Sequence, residues 1–208
     1  VKNEVKWYNM CQRGSPVPRL VAIQGTKETD DWYPLYRHPA DEQPEIVSWT
    51  PIIDTIRQYL EKKMGQKFNH GLIQLYRDGE DNIGEHSDKT LDIQIGSNIV
   101  NYTIGATRVL TLRRKGKSDD GDSYRETQKV IMKNNSVFTL GWETNKKWLH
   151  SIRPDKRPVH TKDTDELIND GKRISITFRT IATHYKQSKD ETLICGQGAP
   201  KYTTDGDD

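Results

Sequence analysis

The chain has 208 residues, which is enough for one domain with a substantial core. Its 32 lysines and arginines nearly balance 30 acidic residues, which argues against a strongly basic nucleic-acid binder and leaves only a local basic patch open. No segment approaches the roughly 18 consecutive apolar residues of a membrane span, and Cys11 and Cys195 lie too far apart in sequence for a disulfide framework or a structural zinc site. We therefore expect a soluble monomer without a membrane partner in a reducing compartment, cytosol or nucleus.

The first clear element in chain order is an amphipathic helix. It is predicted to begin at Thr50 and Pro51, where a hydroxyl can cap and proline suits the first turn, and to close at Gly65. Apolar residues recur at helical spacing, at Ile52, Ile53, Ile56, Tyr59 and Leu60.

After this helix the pattern predicts strands, which are separated by turns rich in Gly, Asp, Asn and Lys. They cover residues 70–77, 99–105, 108–114, 136–140 and 173–182. Short strands at this spacing predict an antiparallel barrel or sandwich, that is, an all-β core with flanking helices. We expect residues 1–186 to form one domain, residues 115–124 and 154–172 to be exposed loops, and residues 187–208 to be a polar, loosely held tail.

His86 and Asp88 place an imidazole and a carboxylate one residue apart. In an extended segment both project from the same face. Such a pair suits a divalent first-row metal, and a second imidazole would complete a set that leaves positions open for oxygen and a cosubstrate. His150, in Trp148-Leu149-His150-Ser151, could supply it. Taken alone, His-x-Asp is more often a solvated loop, and a lone histidine more often a rim residue.

Residues 173–179 predict a strand with two arginines on one face. Arg173, Ser175, Thr177 and Arg179 alternate with apolar residues. If that face lined an interior, the guanidinium groups would need an anionic partner such as a dicarboxylate, since burying an unpaired charge is costly. A wet polar face is the more ordinary interpretation of such a strand. Gln74 and Tyr76 also share a face and could bond the same dicarboxylate.

These motifs, in this order, carry a family resemblance. The run from Leu75 to Asp88, then Trp148-Leu149-His150-Ser151, then the strand from Arg173 to Arg179 resemble the AlkB family of dioxygenases, most of all its eukaryotic members that repair alkylated DNA. The resemblance covers about residues 5–182. It implies a double-stranded β-helix (jelly-roll) fold, Fe(II) on His86, Asp88 and His150, and 2-oxoglutarate held by Arg173, Arg179 and Tyr76, with Gln74 and Ser175 beside them.

The chemistry that the resemblance implies is oxidative decarboxylation of 2-oxoglutarate with O2, coupled to hydroxylation of a substrate C–H bond. On an N-methyl group this would release formaldehyde. Three residues depart from the family pattern: Gln74 and Ser175 stand for asparagines, and Thr90 stands where repair enzymes usually carry an acidic residue near the target base. The first two can still hydrogen-bond the cosubstrate, whereas threonine cannot supply a charge to a damaged base.

Oxidative demethylation of alkylated nucleobases in DNA or RNA is the leading hypothesis, with the base flipped into the pocket. We expect Thr90, Tyr36 and Trp148 to contact substrate, and a basic set to follow phosphates: Arg108, Arg113, Arg114, Lys115, Lys117, Lys146 and Lys147. Two alternatives stay open, namely the same chemistry on a small metabolite or protein side chain, and a catalytically silent binding module.

Overall fold

The computed structural model describes residues 1–27, 32–37, 44–116, 126–187 and 192–200. The helices are α1 (Pro51–Met64) and α2 (Trp142–Lys147), with two short 3-10 turns at Val159–Thr161 and Thr164–Leu167. The strands are β1 (Tyr8–Gln12), β2 (Ser15–Gly25), β3 (Trp32–Pro34), β4 (Ile46–Val47), β5 (His70–Tyr76), β6 (Ile83–His86), β7 (Ile99–Gly105), β8 (Arg108–Arg114), β9 (Thr127–Met132), β10 (Ser136–Leu140), β11 (Trp148–Ile152), β12 (Arg173–Arg179), β13 (Thr183–Gln187) and β14 (Thr192–Gly196). Within the described ranges, no helix is long and apolar enough to cross a membrane.

The predicted helix and strands are present, and the all-β core with flanking helices is confirmed. Helix α1 has proline in its first turn and ends on Gly65, which adopts a left-handed φ of 62°. The capping prediction is wrong in detail, because the Thr50 side chain makes no cap and instead bonds the amide of Gln24. Most of the predicted loop 115–124 lies outside the described residues.

Two sheets face each other and a third lies at one side. The largest runs in the order β1-β2-β5-β12-β7-β10, with β4 added beside β2, and the second in the order β6-β11-β8-β9. Apart from the β2–β4 pair, the neighbours within both sheets are antiparallel. The third sheet, β14-β13-β3, joins the C-terminal strand to the segment that carries Tyr36.

Two apolar cores follow from this layering. One lies between the two facing sheets and includes Tyr76, Leu112 and Ile152. The other lies between the outer face of the large sheet and α1, and includes Leu60, Ile176 and Phe178. Because Ile176 and Phe178 face the helix, the alternate residues of β12 face the space between the sheets. That space holds the candidate site.

Residues 192–200 differ from the loosely held tail that was predicted for residues 187–208, whereas residues 188–191 and 201–208 lie outside the described ranges. Thr192–Gly196 pairs antiparallel with β13, and Gly198 is buried. The Gln197 side chain accepts a hydrogen bond from the Ile95 N–H and donates to the carbonyls of Leu91 and Ile93, both at 2.9 Å. These contacts fix the loop that follows Asp88. The segment is polar, so its hydrophobic pattern gave no sign of this pairing.

Gly198→Ala is expected to destabilise the protein. The Gly198 carbonyl accepts a hydrogen bond from Arg37, which also pairs with the carboxylate of Asp92, only 1% exposed. An added methyl group would collide with the Arg37 guanidinium and the Asp92 carboxylate. We expect a loss of about 1–3 kcal/mol in the free energy of unfolding, the usual cost of overpacking, measured by chemical denaturation. Gly84→Ala is the control, since nothing lies within 4 Å of its added methyl group.

Candidate active site

His86, Asp88 and His150 form a compact cluster at the end of the second sheet. His86 is the last residue of β6 and pairs directly with His150 of β11. One potential ligand atom from each of the three residues lies within 4.8 Å of the others. Two imidazoles and a carboxylate at this separation are the donor set that suits a divalent iron with open coordination positions. The structure therefore brings together the three residues that the sequence singled out.

The neighbouring groups orient this cluster. Nδ1 of His86 lies 2.8 Å from the Gly84 carbonyl, which favours a proton on Nδ1 and leaves Nε2 able to bind a metal. The backbone N–H of Asp88 donates to Asn145 Oδ1, and Asn145 Nδ2 donates back to the Asp88 carbonyl, both at 2.9 Å. Asn145 belongs to α2 and is 1% exposed, so that short helix holds the segment that carries the carboxylate.

Arg179 holds one oxygen of the Asp88 carboxylate. Its Nε and Nη2 lie 2.8 and 2.6 Å from Oδ2, whereas Oδ1 faces Nε2 of His150 at 3.9 Å. Burial alone would raise the pKa of Asp88, but Arg179 and the two imidazoles lower it below its ordinary value. The carboxylate is thus ionised, with Oδ1 directed to the metal position. The Arg179 guanidinium also lies over the Tyr36 ring, 4.5 Å from its centre.

Burial and the neighbouring His86 lower the pKa of His150 from 6.5 to about 4. The folded metal-free protein therefore keeps His150 neutral, while the unfolded chain protonates it near pH 6.5. The contribution to stability is present above pH 6.5 and is lost as the pH falls toward about 4. We expect the thermal midpoint of the metal-free protein to fall across this window.

Thermal melts at a series of pH values would measure this fall. His150→Gln has no ring to titrate, so its midpoint should fall less over the same window. Equal falls for the wild type and the variant would contradict the assignment of this pH dependence to His150.

A second buried arginine lies at the other end of β12. Arg173 is 2% exposed, its Nη2 donates to Thr103 Oγ1 at 3.0 Å, and its guanidinium lies 5.1 Å from the Tyr76 ring centre. Burial lowers its pKa to about 10, so it still carries its charge at neutral pH. Nε and Nη1 are buried and have no partner among the described residues. Two orphaned N–H groups on a buried cation are the donors that a carboxylate of 2-oxoglutarate would satisfy.

A cavity of about 390 Å³ joins the two arginines and the metal cluster. Its walls come from both facing sheets, including the β1–β2 hairpin at the edge of the large sheet. Gln74, Tyr76, Arg173, Ser175 and Arg179, the residues expected to hold the cosubstrate, all line it. Ser175 Oγ accepts a hydrogen bond from Asn101 Nδ2 at 2.7 Å. The residues present therefore fit both Fe(II) and 2-oxoglutarate.

Of the three residues expected to contact substrate, only Tyr36 lines the cavity. The Thr90 carbonyl accepts a hydrogen bond from the Gln197 side chain, and the residue beside it, Lys89, lines the cavity instead. Trp148 packs against the core between the facing sheets. The position of Thr90 two residues after Asp88 in the sequence gave no sign that Thr90 lies outside the cavity lining.

The predicted basic set is only partly available to a polyanion. Arg108 is 7% exposed and donates to three backbone carbonyls, so its expected role on phosphates is wrong. Lys146 and Lys147 both pair with Glu143. Arg113 pairs with Glu85 at the cavity wall, and Lys117 lies outside the described residues.

Sequence reasoning missed several residues of the site. The metal cluster is oriented by Asn145, and the side chains of β12 are oriented by Asn101 and Thr103. Arg19 of β2 lines the cavity near His86. Asn101 and Thr103 lie in a predicted strand, and their alternation with apolar neighbours was a usable signal. Asn145 and Arg19 lie outside the predicted elements.

Comparisons with known proteins agree with this geometry. A sequence model described as the 2OG-Fe(II) oxygenase superfamily matches residues 1–179. "DNA oxidative demethylase ALKBH2" of Bos taurus is 31% identical over 141 residues, covering 67% of this chain and 47% of that protein. "Alpha-ketoglutarate-dependent dioxygenase alkB homolog 3" of Rattus norvegicus is 27% identical over 168 residues, covering 80% and 51%. The chain spans about half the length of these curated relatives.

A solved structure also matches. "The structure of OsALKBH1" superposes with a TM-score of 0.55 at 14% identity, covering 85% of each chain. This likeness shows the fold, and it confirms the expected double-stranded β-helix.

Proposed function

Because the chain belongs to the 2OG-Fe(II) oxygenase superfamily, we propose that it removes alkyl groups from nucleobases by oxidation. The AlkB-like resemblance seen in the sequence is confirmed by the similarity to ALKBH2 and alkB homolog 3. One observation supports the oxygenase chemistry most: a buried His-Asp-His cluster shares a cavity with a buried arginine that has two unpartnered N–H groups.

His86, Asp88 and His150 would hold Fe(II), and Arg173 with Tyr76 would hold 2-oxoglutarate. Together with O2, the bound metal and cosubstrate would supply the oxidising power to hydroxylate a C–H bond, with succinate and carbon dioxide as co-products. The role of the chain's own residues is to bind the metal and the cosubstrate and to orient them. Arg179 keeps Asp88 ionised and turned toward the metal position, and Asn145 fixes the backbone on which Asp88 sits.

The nucleobase part of the proposal rests on the named activity of ALKBH2 relatives and on the cavity. A volume of about 390 Å³ falls within the roughly 300–1,000 Å³ of small-molecule sites. It can take a base only if that base leaves the stack. Tyr36, held against Arg179, is an aromatic residue of the cavity wall beside which such a base would lie.

The test is formaldehyde release from a panel of methylated oligonucleotides with Fe(II), 2-oxoglutarate and O2. We expect release with at least one of them, and none with unmethylated oligonucleotides. Succinate formation from a methylated metabolite or peptide, with every oligonucleotide left intact, would move the proposal to the small-molecule or protein alternative. His160→Ala, at an exposed histidine that does not line the cavity, is the control variant.

A further inference from the structure

Arg19 presents an unpartnered cationic donor to the cavity. It lies on the wall formed by the β1–β2 hairpin, and burial lowers its pKa. Its Nη1 donates to the Asn82 carbonyl at 2.9 Å, which anchors one side of the guanidinium. Its Nε is buried and has no partner among the described residues. A buried donor without an acceptor is costly, and a bound ligand with a carbonyl oxygen would satisfy it.

The carboxylates of the same cavity are already paired. Two acidic residues line it, Asp88 and Glu85. Asp88 is bound to Arg179, and Glu85 to Arg113. Among the described residues, the wall thus offers a bound base an unpaired positive charge and no unpaired negative one.

Alkylated nucleobases fall into two classes that this wall would distinguish. N3-methylcytosine and N1-methyladenine carry a positive charge at neutral pH and an exocyclic amino group beside the methylated nitrogen. N3-methyluracil, N3-methylthymine and N1-methylguanine are neutral and carry a carbonyl oxygen in place of that amino group. A cationic base near Arg19 would meet repulsion in a site of low dielectric. A carbonyl oxygen would accept from the guanidinium.

We propose that the cavity selects neutral alkylated bases, which carry a carbonyl oxygen where the cationic bases carry an exocyclic amino group, and that Arg19 is the residue that determines this selectivity. The inference rests on the proposed nucleobase function and names the substrate class for it. Arg19 is distinct from the residues that would hold metal and cosubstrate, and it lies on β2, in the hairpin, whereas His150 lies on β11 of the second sheet.

The test is a competition between two oligonucleotides that differ in one base, N3-methyluracil against N3-methylcytosine. The two bases differ in one exocyclic group and in charge, so other contacts cancel. We expect the wild type to favour N3-methyluracil by about 10-fold or more in kcat/KM, the effect of one charge-assisted hydrogen bond. Arg19→Met keeps most of the side-chain volume without the charge or the donor, and should bring the ratio close to one.

Each outcome of this competition either supports the inference or overturns it. A wild-type preference for N3-methylcytosine, no preference, or an unchanged ratio in Arg19→Met would overturn the inference while demethylation itself stands. A raised KM for 2-oxoglutarate with an unchanged ratio would assign Arg19 to the cosubstrate instead. Turnover of neither oligonucleotide nor any other in the panel would overturn the nucleobase function, and this inference with it. Arg157→Met, at an exposed cation paired with Asp155, removes the same charge outside the cavity and should keep the wild-type ratio.

Discussion

His150→Ala is expected to abolish Fe(II)-dependent succinate formation, with a loss of at least about 100-fold. Removing a group that merely orients a metal ligand costs about 10–100-fold, and removing a ligand should cost more. The fold should persist, because His150 is partly exposed and its Nδ1 has no partner among the described residues. Measurement combines a succinate assay with calorimetric titration of Fe(II) under anaerobic conditions.

His150 is a cleaner site for this test than Asp88. Asp88→Ala would leave the buried Arg179 without its carboxylate, and breaking such a pair costs about 3–5 kcal/mol, so lost activity could reflect unfolding. His160→Ala serves as the matched control, since that histidine is exposed and does not line the cavity. Wild-type succinate production by His150→Ala would show that another residue completes the metal set.

Arg173→Met is expected to raise the KM for 2-oxoglutarate about 10–100-fold, the effect of losing charge-assisted hydrogen bonds worth about 1.5–3 kcal/mol. Methionine fills much of the volume without the charge, so the cavity should not collapse. In the absence of 2-oxoglutarate the variant should unfold at a temperature no lower than that of the wild type, because Arg173 is a buried cation with two unsatisfied N–H groups. Thermal melts with and without 2-oxoglutarate measure both effects.

The variant should also lose the rise in thermal midpoint that 2-oxoglutarate gives the wild type. Arg173→Lys should recover only part of it, since lysine lacks the planar pair of donors. Lys172→Ala removes a neighbouring charge that pairs with Asp170 outside the cavity, and should behave like the wild type. An undiminished ligand-induced shift in Arg173→Met would mean that the dicarboxylate binds elsewhere.

The sequence predicted the features that depend on local patterns, namely strand bounds, strand faces and closely spaced ligands. The alternation through β12 placed its two arginines on one face, and the structure puts that face on the cavity while Ile176 and Phe178 contact α1. The bounds of β7, β8 and β10 match the prediction, because each strand alternates apolar and polar residues over part of its length and is closed by turn residues. His86 and Asp88 could be proposed as partners because they are one residue apart.

What the sequence did not predict depends on contacts between distant segments. The bond between Asn145 and Asp88 joins residues 57 positions apart, and nothing near Asn145 indicated it. The strand Thr192–Gly196 is short and lies in a polar region, so its pairing with β13 follows from position in the fold. Thr90 was placed by its distance from Asp88 in sequence, but the path of the backbone carries it away from the cavity.

Because His86 pairs directly with His150, the arrangement of the iron-binding residues depends on the register between β6 and β11. Side chains alternate across a strand, so a slip of one residue in β11 would turn His150 to the opposite face. Insertions in the connections between strands would leave this register intact. We therefore expect natural and engineered variants to differ freely in the length of the β8–β9 connection, whereas a single deletion within β6 or β11 should eliminate metal binding even when all three ligand residues are retained.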